Sequence, residues 1–293
     1  MYKSLAAAVR DATARGMPLS RLALETEAED QGRPVADIRA ALGRALSVMK
    51  GAVEQGLTGN MKSASGLVGG DAAKLVHGPK GPLAETPFRD ILARALAVQE
   101  VNAAMGVIVA APTAGGAGVL PAVITGIAQA NGFDDDKLVD ALATAGLIGA
   151  VVAERASLSG AEGGCQAETG AAAGMAAGAG TEMMGGSPEQ VSHAVALAQQ
   201  GTLGLVCDPL GGLVELPCVF RNATGAAIAL AAIEMAMAGI TFAIPADEVI
   251  DTMGDIGREM DVRYRETAGG GLAATPTGRR LARERLVQIK RNG

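Results

Sequence analysis

Tryptophan is absent from the sequence, and aromatic residues of all kinds make up only 2% of it. A core without large rings has to be assembled from Ala, Val, Leu, Ile and Met, with glycine gaps where backbones approach closely. So few rings leave few platforms for stacking bases, and a net charge of −6 repels phosphate, which together argue against a nucleic-acid partner. Charged residues are sparse at 19% against 49% hydrophobic, the balance of a packed globular protein and not of a disordered one. A continuous membrane span is also missing. The longest uncharged run, between Glu100 and Asp134, is broken by Pro112, Gly115, Gly116, Gly118 and Pro121 into pieces too short to cross a bilayer. Cysteine is scarce. Three cysteines, and no apolar leader in MYKSLAAAVRDATARG, point to reduced thiols in a cytoplasm.

Alternating strand-like patterns are almost absent as well, so the expected fold is all-α: a compact bundle of buried helices joined by Gly/Pro-rich loops. From Pro18 to Gly56 the apolar residues Leu22, Leu24, Ile38, Leu42, Leu46, Met49 and Val53 recur mostly at helical spacing, with charges between. Residues 1–57 are therefore read as N-terminal amphipathic helices. Residues 58–87, rich in Gly, Pro and Ser, read as one long loop, a length that usually signals function. Residues 88–293 form the helical core, and nothing marks a domain boundary within them. FRDILARALAVQEVNAAMGVIVAAP, LPAVITGIAQA and DKLVDALATAGLIGAVVAER are apolar on nearly every side, as buried helices are. SPEQVSHAVALAQQ opens with Ser187 as N-cap, Pro188 in the first turn and Gln190 three residues after the cap. The basic tail after Pro276 reads as a solvated helical face.

The three cysteines lie in similar settings. Cys165 sits in GGCQAETGAAAGMAAGAGTEMMGG; Cys207 and Cys218 sit in LGLVCDPLGGLVELPCVFRNATG, 42 and 11 residues further on in turn. Gly and Pro border all three, so backbone turns can aim them at one point. Read by themselves they are either small buried hydrophobes or a shared metal site, and the close C-x-x-C spacing of ordinary zinc sites is missing.

Five stretches carry a resemblance over nearly the whole length: SASGLVGGDAAKL, EVNAAMGVIVAAPTAGGAGVLPAV, SLSGAEGGCQAETGAAAGMAAGA, GLVCDPLGGLVELPCVFRNA and YRETAGGGLAATPTGR. The sequence resembles the α chain of the two-subunit, iron–sulfur-dependent L-serine dehydratases. That resemblance implies a [4Fe–4S] cluster held by Cys165, Cys207 and Cys218, with one iron left without a protein thiolate. Such an iron acts as a Lewis acid on the serine hydroxyl, a poor leaving group, while a base removes the α-proton. The products are pyruvate and ammonia, a reaction of amino-acid degradation and gluconeogenesis.

The resemblance also names candidates around the substrate. Thr113 either caps a helix or bonds the substrate; Asn102 joins a polar network or the substrate. Ser157 and Ser159 cap a turn or bind the substrate carboxylate. Arg221 grips that carboxylate or forms a structural ion pair, with Asn222 beside it. Lys74 clamps a carboxylate, acts as base, or is a surface lysine, and the Arg265–Thr267 segment packs. The base itself is not evident. His193 reads as a helix surface or packing residue, which leaves His77 and Lys74 as internal candidates. Single-chain members of the family carry a Ser-Ser-Ser-His-Thr segment that supplies the histidine, and this sequence has none. The expectation is a hetero-oligomer whose β-type subunit contributes the base, meeting this chain along residues 58–87. The alternatives are a paralogous lyase acting on cysteine or threonine, a non-catalytic iron–sulfur sensor or scaffold, and, ranked lowest, a pyridoxal-phosphate lyase.

Overall fold

The computed structural model describes residues 2–292, with side chains through Arg285. Among them are thirteen α-helices and no β-strand. The N-terminal part is α1 (Leu5–Arg15), α2 (Leu19–Gln31) and α3 (Val35–Leu57), followed by the short α4 (Asp71–His77). The core runs through α5 (Pro87–Ala103), α6 (Val119–Asn131), α7 (Asp135–Arg155), α8 (Gly160–Gly163), α9 (Ala171–Met183), α10 (Pro188–Gln200) and α11 (Cys218–Met237). It ends with α12 (Ala246–Glu259) and α13 (Pro276–Asn292).

The alanine–glycine run after Cys165 is the central helix. Every residue of α9 is buried, with α6, α7, α10 and α11 packed around it. Alanine favours helix and offers only a methyl, so four neighbours can close on one axis. At Gly178 and Gly180 even a methyl would meet the side-chain ends of Ile148 and Ile233, which would have to move aside. This close packing does the work that aromatic rings do in other cores.

Several helix N-termini are capped from far away in sequence. Pro18 and Gly70 precede α2 and α4 and bring no capping side chain. Instead, Glu182 accepts the Ser20 amide (3.1 Å) and the Thr144 hydroxyl (2.9 Å). Glu100 accepts the amides of Gly70 (3.0 Å), Asp71 (2.6 Å) and Ala72 (3.2 Å). Asp247 accepts those of Leu5 (2.7 Å) and Ala6 (3.0 Å) at the head of α1. A buried carboxylate on an exposed run of amides satisfies both partners and tethers distant segments. Local caps are also present among the described residues: Ser4 at α1, Asp134 at α7, and at α10 the reciprocal box expected from sequence between Ser187 and Gln190.

Two readings of the sequence change. The run expected as one helix to Pro112 stops at Ala103, where Met105 turns left-handed (φ 61°) and the Gly106 amide bonds back to the Val101 carbonyl (2.8 Å). Val107, Ile108 and Val109 then run non-helically, as β-branched residues ahead of a proline favour. The long loop is not structureless either. It contains α4, and two buried carboxylates fasten it: Glu100, and Glu215 through the amide and hydroxyl of Ser65. α11 is the one described helix long and apolar enough to cross a membrane. It packs against α5, α9 and α10 and begins at a cysteine.

Candidate active site

Three chain segments converge on one end of α9. The first is the turn that carries Cys165. Gly164 takes a left-handed backbone (φ 75°) and has no room for a side chain against Met260 and the Leu205 carbonyl. Cys165 then opens a π-helical turn, Gln166–Gly170, that leads into α9; such turns recur at functional sites. Gln166 pins it. Its side chain donates to the Met253 carbonyl (3.0 Å) and accepts from the Gly204 amide (2.9 Å), while its own amide bonds to Leu205 (3.0 Å).

Cys207 follows that anchored segment. Its amide donates to the Tyr264 carbonyl (2.8 Å) and its carbonyl accepts from Glu266 (2.9 Å), an isolated parallel bridge with the Arg265 segment. Arg265–Thr267 is thus a backbone brace for Cys207, with Glu266 held at a positive φ of 62°. Cys218 begins α11. One turn on, Arg221 bonds the Val206 carbonyl (2.8 Å) and pairs with buried Asp208 (2.8 Å), so it ties α11 to the residues on either side of Cys207.

The three thiols are free, buried, and close enough to act on one another electrostatically. Burial raises Cys207 far above the usual thiol range, and Cys165, Glu168 and Cys218 push it further. Burial, then Cys165 and Glu168, raise Cys218 to about 12, while Arg221 opposes them. Cys165 is raised chiefly by burial, with the Thr169 hydroxyl 3.2 Å from its sulfur and Arg221 acting the other way. Bare thiols in this setting stay protonated; a bound metal deprotonates them. No described group of three or more His, Cys, Asp or Glu side chains is arranged to surround a single metal ion. A polynuclear cluster asks for something different, one thiolate at each of several irons, and an all-sulfur, water-poor donor set with one nearby guanidinium fits that demand.

Sequence reasoning passed over Glu168. It is the only ionisable residue other than the cysteine between Gly163 and Thr181, and a carboxylate in so apolar a run was the available signal. On the π-turn it points into the space shared by the thiols. One oxygen accepts from the Thr113 hydroxyl (2.7 Å), and the other lies 3.9 Å from the Cys207 sulfur. A Cβ at Gly115 or Gly160 would fall within 3 Å of the carboxylate, so these two glycines keep its place open, and one at Gly116 would fall within 3 Å of the Glu168 backbone carbonyl. Burial raises its pKa, the Thr113 bond lowers it, and Glu266 raises it again.

Thr113 therefore faces the site, and the turn after it is held from behind. Gln99 donates to the Ala114 carbonyl (2.8 Å), Asn102 to Ala114 and to Gln99 (both 3.2 Å). Asn222 donates to Gly115 (2.7 Å) and Cys218 (3.0 Å) and accepts from Gly118 (2.9 Å). Asn102 and Asn222 thus spend their amides positioning backbone. Ser157 bonds Glu162 (2.5 Å) and the Ser159 amide (3.0 Å), and with Arg258 and Arg265 it lines a cavity of about 360 Å³ beside the Cys165 turn. Ser159 precedes α8 without a side-chain capping bond. Lys74 is exposed and paired with Asp71 (2.7 Å), and His77 is exposed at the end of α4. His193 accepts from the Phe242 amide (3.3 Å). None of these three is among the main charges acting on the thiols.

With this geometry in view, the comparisons are informative. The family model described as serine dehydratase alpha chain matches residues 14–273. The chain is 47% identical to the probable L-serine dehydratase alpha chain of Bacillus subtilis, over 97% of this chain and 95% of that one. It is 39% identical to the L-serine dehydratase alpha chain of Peptoniphilus asaccharolyticus, over 94% of each. The L-serine dehydratase of Streptomyces coelicolor is 43% identical over 89% of this chain, which spans only 58% of that longer protein.

Proposed function

Because the chain belongs to the serine dehydratase alpha chain family, we propose that it is the α subunit of an L-serine dehydratase, a lyase that turns L-serine into pyruvate and ammonia. The observation that carries this reading is the convergence of the chain's only three thiols, Cys165, Cys207 and Cys218, on one buried space. In this reading they hold a [4Fe–4S] cluster. When bound, the cluster supplies a Lewis acid, an iron without a protein thiolate, for the hydroxyl that leaves.

The chain's own residues prepare the ground for that chemistry. Arg221 offsets thiolate charge near Cys165 and Cys218. Gly115 and Gly160 leave room for the Glu168 carboxylate beside the thiols. The packed alanine core excludes water, so charges in the site are weakly screened. The aminoacrylate released tautomerises and hydrolyses in solution.

The α-proton goes to a base on a second, β-type chain. Supporting this, the chain matches two relatives named alpha chain nearly end to end, yet spans little more than half of the Streptomyces coelicolor protein. What that protein holds in one chain, this one obtains by association, with residues 58–87 as the contact face. His77 and Lys74 on that stretch remain the internal alternatives. Three free thiols suit a reducing cytoplasm.

The test is anaerobic co-purification with the β-type partner, iron and sulfide analysis, and pyruvate release from L-serine compared with L-cysteine and L-threonine. Iron and sulfide in near-equal amounts with turnover of L-serine is the expected result. Absence of iron, or an absorption band of a pyridoxal Schiff base, overturns it.

A further inference from the structure

Glu168 is a half-buried carboxylate for which the chain provides too little. Its Oε1 has one neutral donor, the Thr113 hydroxyl at 2.7 Å. The contact of its Oε2 is the Cys207 sulfur at 3.9 Å, and once that sulfur ligates a metal it has no proton to give. The charge that acts on it most is another acid, Glu266, and it in turn acts on all three thiols. Arg221, the cation of the site, is engaged by Asp208 and the Val206 carbonyl. The fully buried carboxylates show what a satisfied one looks like: Glu100 accepts three backbone amides, and Glu182 an amide and a hydroxyl. Glu168 has one hydroxyl and no amide, yet two glycines, Gly115 and Gly160, keep its place open.

A carboxylate partly withdrawn from water and given one neutral donor favours a cation that arrives from outside. An α-amino acid brings one, its ammonium group, which also carries three donors. We infer that the free oxygen of Glu168 receives the α-ammonium of the substrate, with Thr113 fixing the carboxylate's orientation. This rests on the amino-acid lyase reading above. It makes Glu168 the residue that distinguishes an amino acid from the 2-hydroxy acid of the same shape, because a hydroxyl in place of the ammonium offers one donor and no charge.

The experiment uses the anaerobic, cluster-loaded complex with its partner and two inert ligands without a β-leaving group, L-alanine and L-lactate. Their inhibition constants against L-serine and their calorimetric affinities are compared between wild type, Glu168→Gln and Glu168→Asp. Wild type should prefer L-alanine clearly. Glu168→Gln, with iron and sulfide content unchanged, should weaken L-alanine and raise the KM for L-serine by about tenfold to a hundredfold, the loss of one charge-assisted bond. L-lactate should change less than about twofold, since it makes no such bond. Glu168→Asp should fall between. A drop in kcat with KM and L-alanine binding unchanged overturns the inference, and so does an equal loss of both ligands. If Glu168→Gln fails to retain iron, the wild-type comparison decides: no preference for L-alanine over L-lactate refutes the assignment. A wild-type complex without iron or without serine turnover fails earlier and refutes the underlying reading instead.

Discussion

Serine in place of any one of the three cysteines keeps size and burial but replaces a soft thiolate with a hydroxyl that iron–sulfur clusters hold poorly. Cys165→Ser, Cys207→Ser and Cys218→Ser should each lose bound iron and turnover while far-UV circular dichroism stays that of the helical fold. A variant that kept full iron and normal rate after anaerobic purification would remove that residue from the ligand set. The same thiols set an alkaline limit for the cluster-free chain. Burial and mutual repulsion raise them above the ordinary 9.0, Cys218 to about 12. Unfolded thiols ionise first, so above pH 9.0 the unfolded state binds fewer protons and stability falls as pH rises toward 12. The urea midpoint of the apo-chain should be flat below that range and decline through it, less steeply in Cys218→Ser.

At the scale of elements, one helix offers opposite outcomes for one substitution. Gly51 and Gly56 both lie in α3. A Cβ on Gly51 meets nothing within 4 Å, so Gly51→Ala should stabilise by about 0.5–1 kcal/mol through lower unfolded-state entropy. A Cβ on Gly56 runs into the backbone carbonyl of Ala97 in α5, and a backbone cannot rotate aside. Gly56→Ala should cost about 1–3 kcal/mol or more, read from denaturant midpoints at unchanged m. The capping carboxylates allow a similar measurement. Glu100→Ala leaves three amides at the head of α4 without their acceptor and should cost about 1–3 kcal/mol. Protection of those amides from hydrogen exchange should fall locally before global stability does.

For the whole molecule the question is whether it works alone. If a β-type chain supplies the base, the isolated α chain should bind a cluster yet turn over L-serine at least about a hundredfold more slowly than the complex, at equal iron content. Equal kcat/KM with and without the partner would return the search to His77 and Lys74. Air should abolish activity, because an iron without a protein thiolate is open to oxidants, and ferrous iron with a thiol reductant should restore it. An enzyme that kept its rate through hours in air would hold a closed cluster or none.

Helical class, the position of most helices and the Ser187 cap were legible in the sequence, while the three cysteines as one set came only with the family resemblance. Each rests on local information: apolar spacing, a capping residue, or motifs around Gly and Pro. What tertiary structure alone decided is where polar groups find partners. Spacings of 42 and 11 residues do not say whether Cys165, Cys207 and Cys218 meet; the Gln166 anchor, the Cys207–Arg265 bridge and the Arg221 clamp bring them together. Asn102 reads in sequence as joining a polar network or the substrate, and the network, with Asn222 in it, holds a backbone turn that only packing creates. Glu168 looked like one acid in an alanine run, and its place between Thr113 and the Cys207 sulfur sets it apart. Periodicity is a property of neighbours along the chain, whereas desolvation and charge pairing depend on residues a hundred positions away, and the chemistry of this site lies in the second kind.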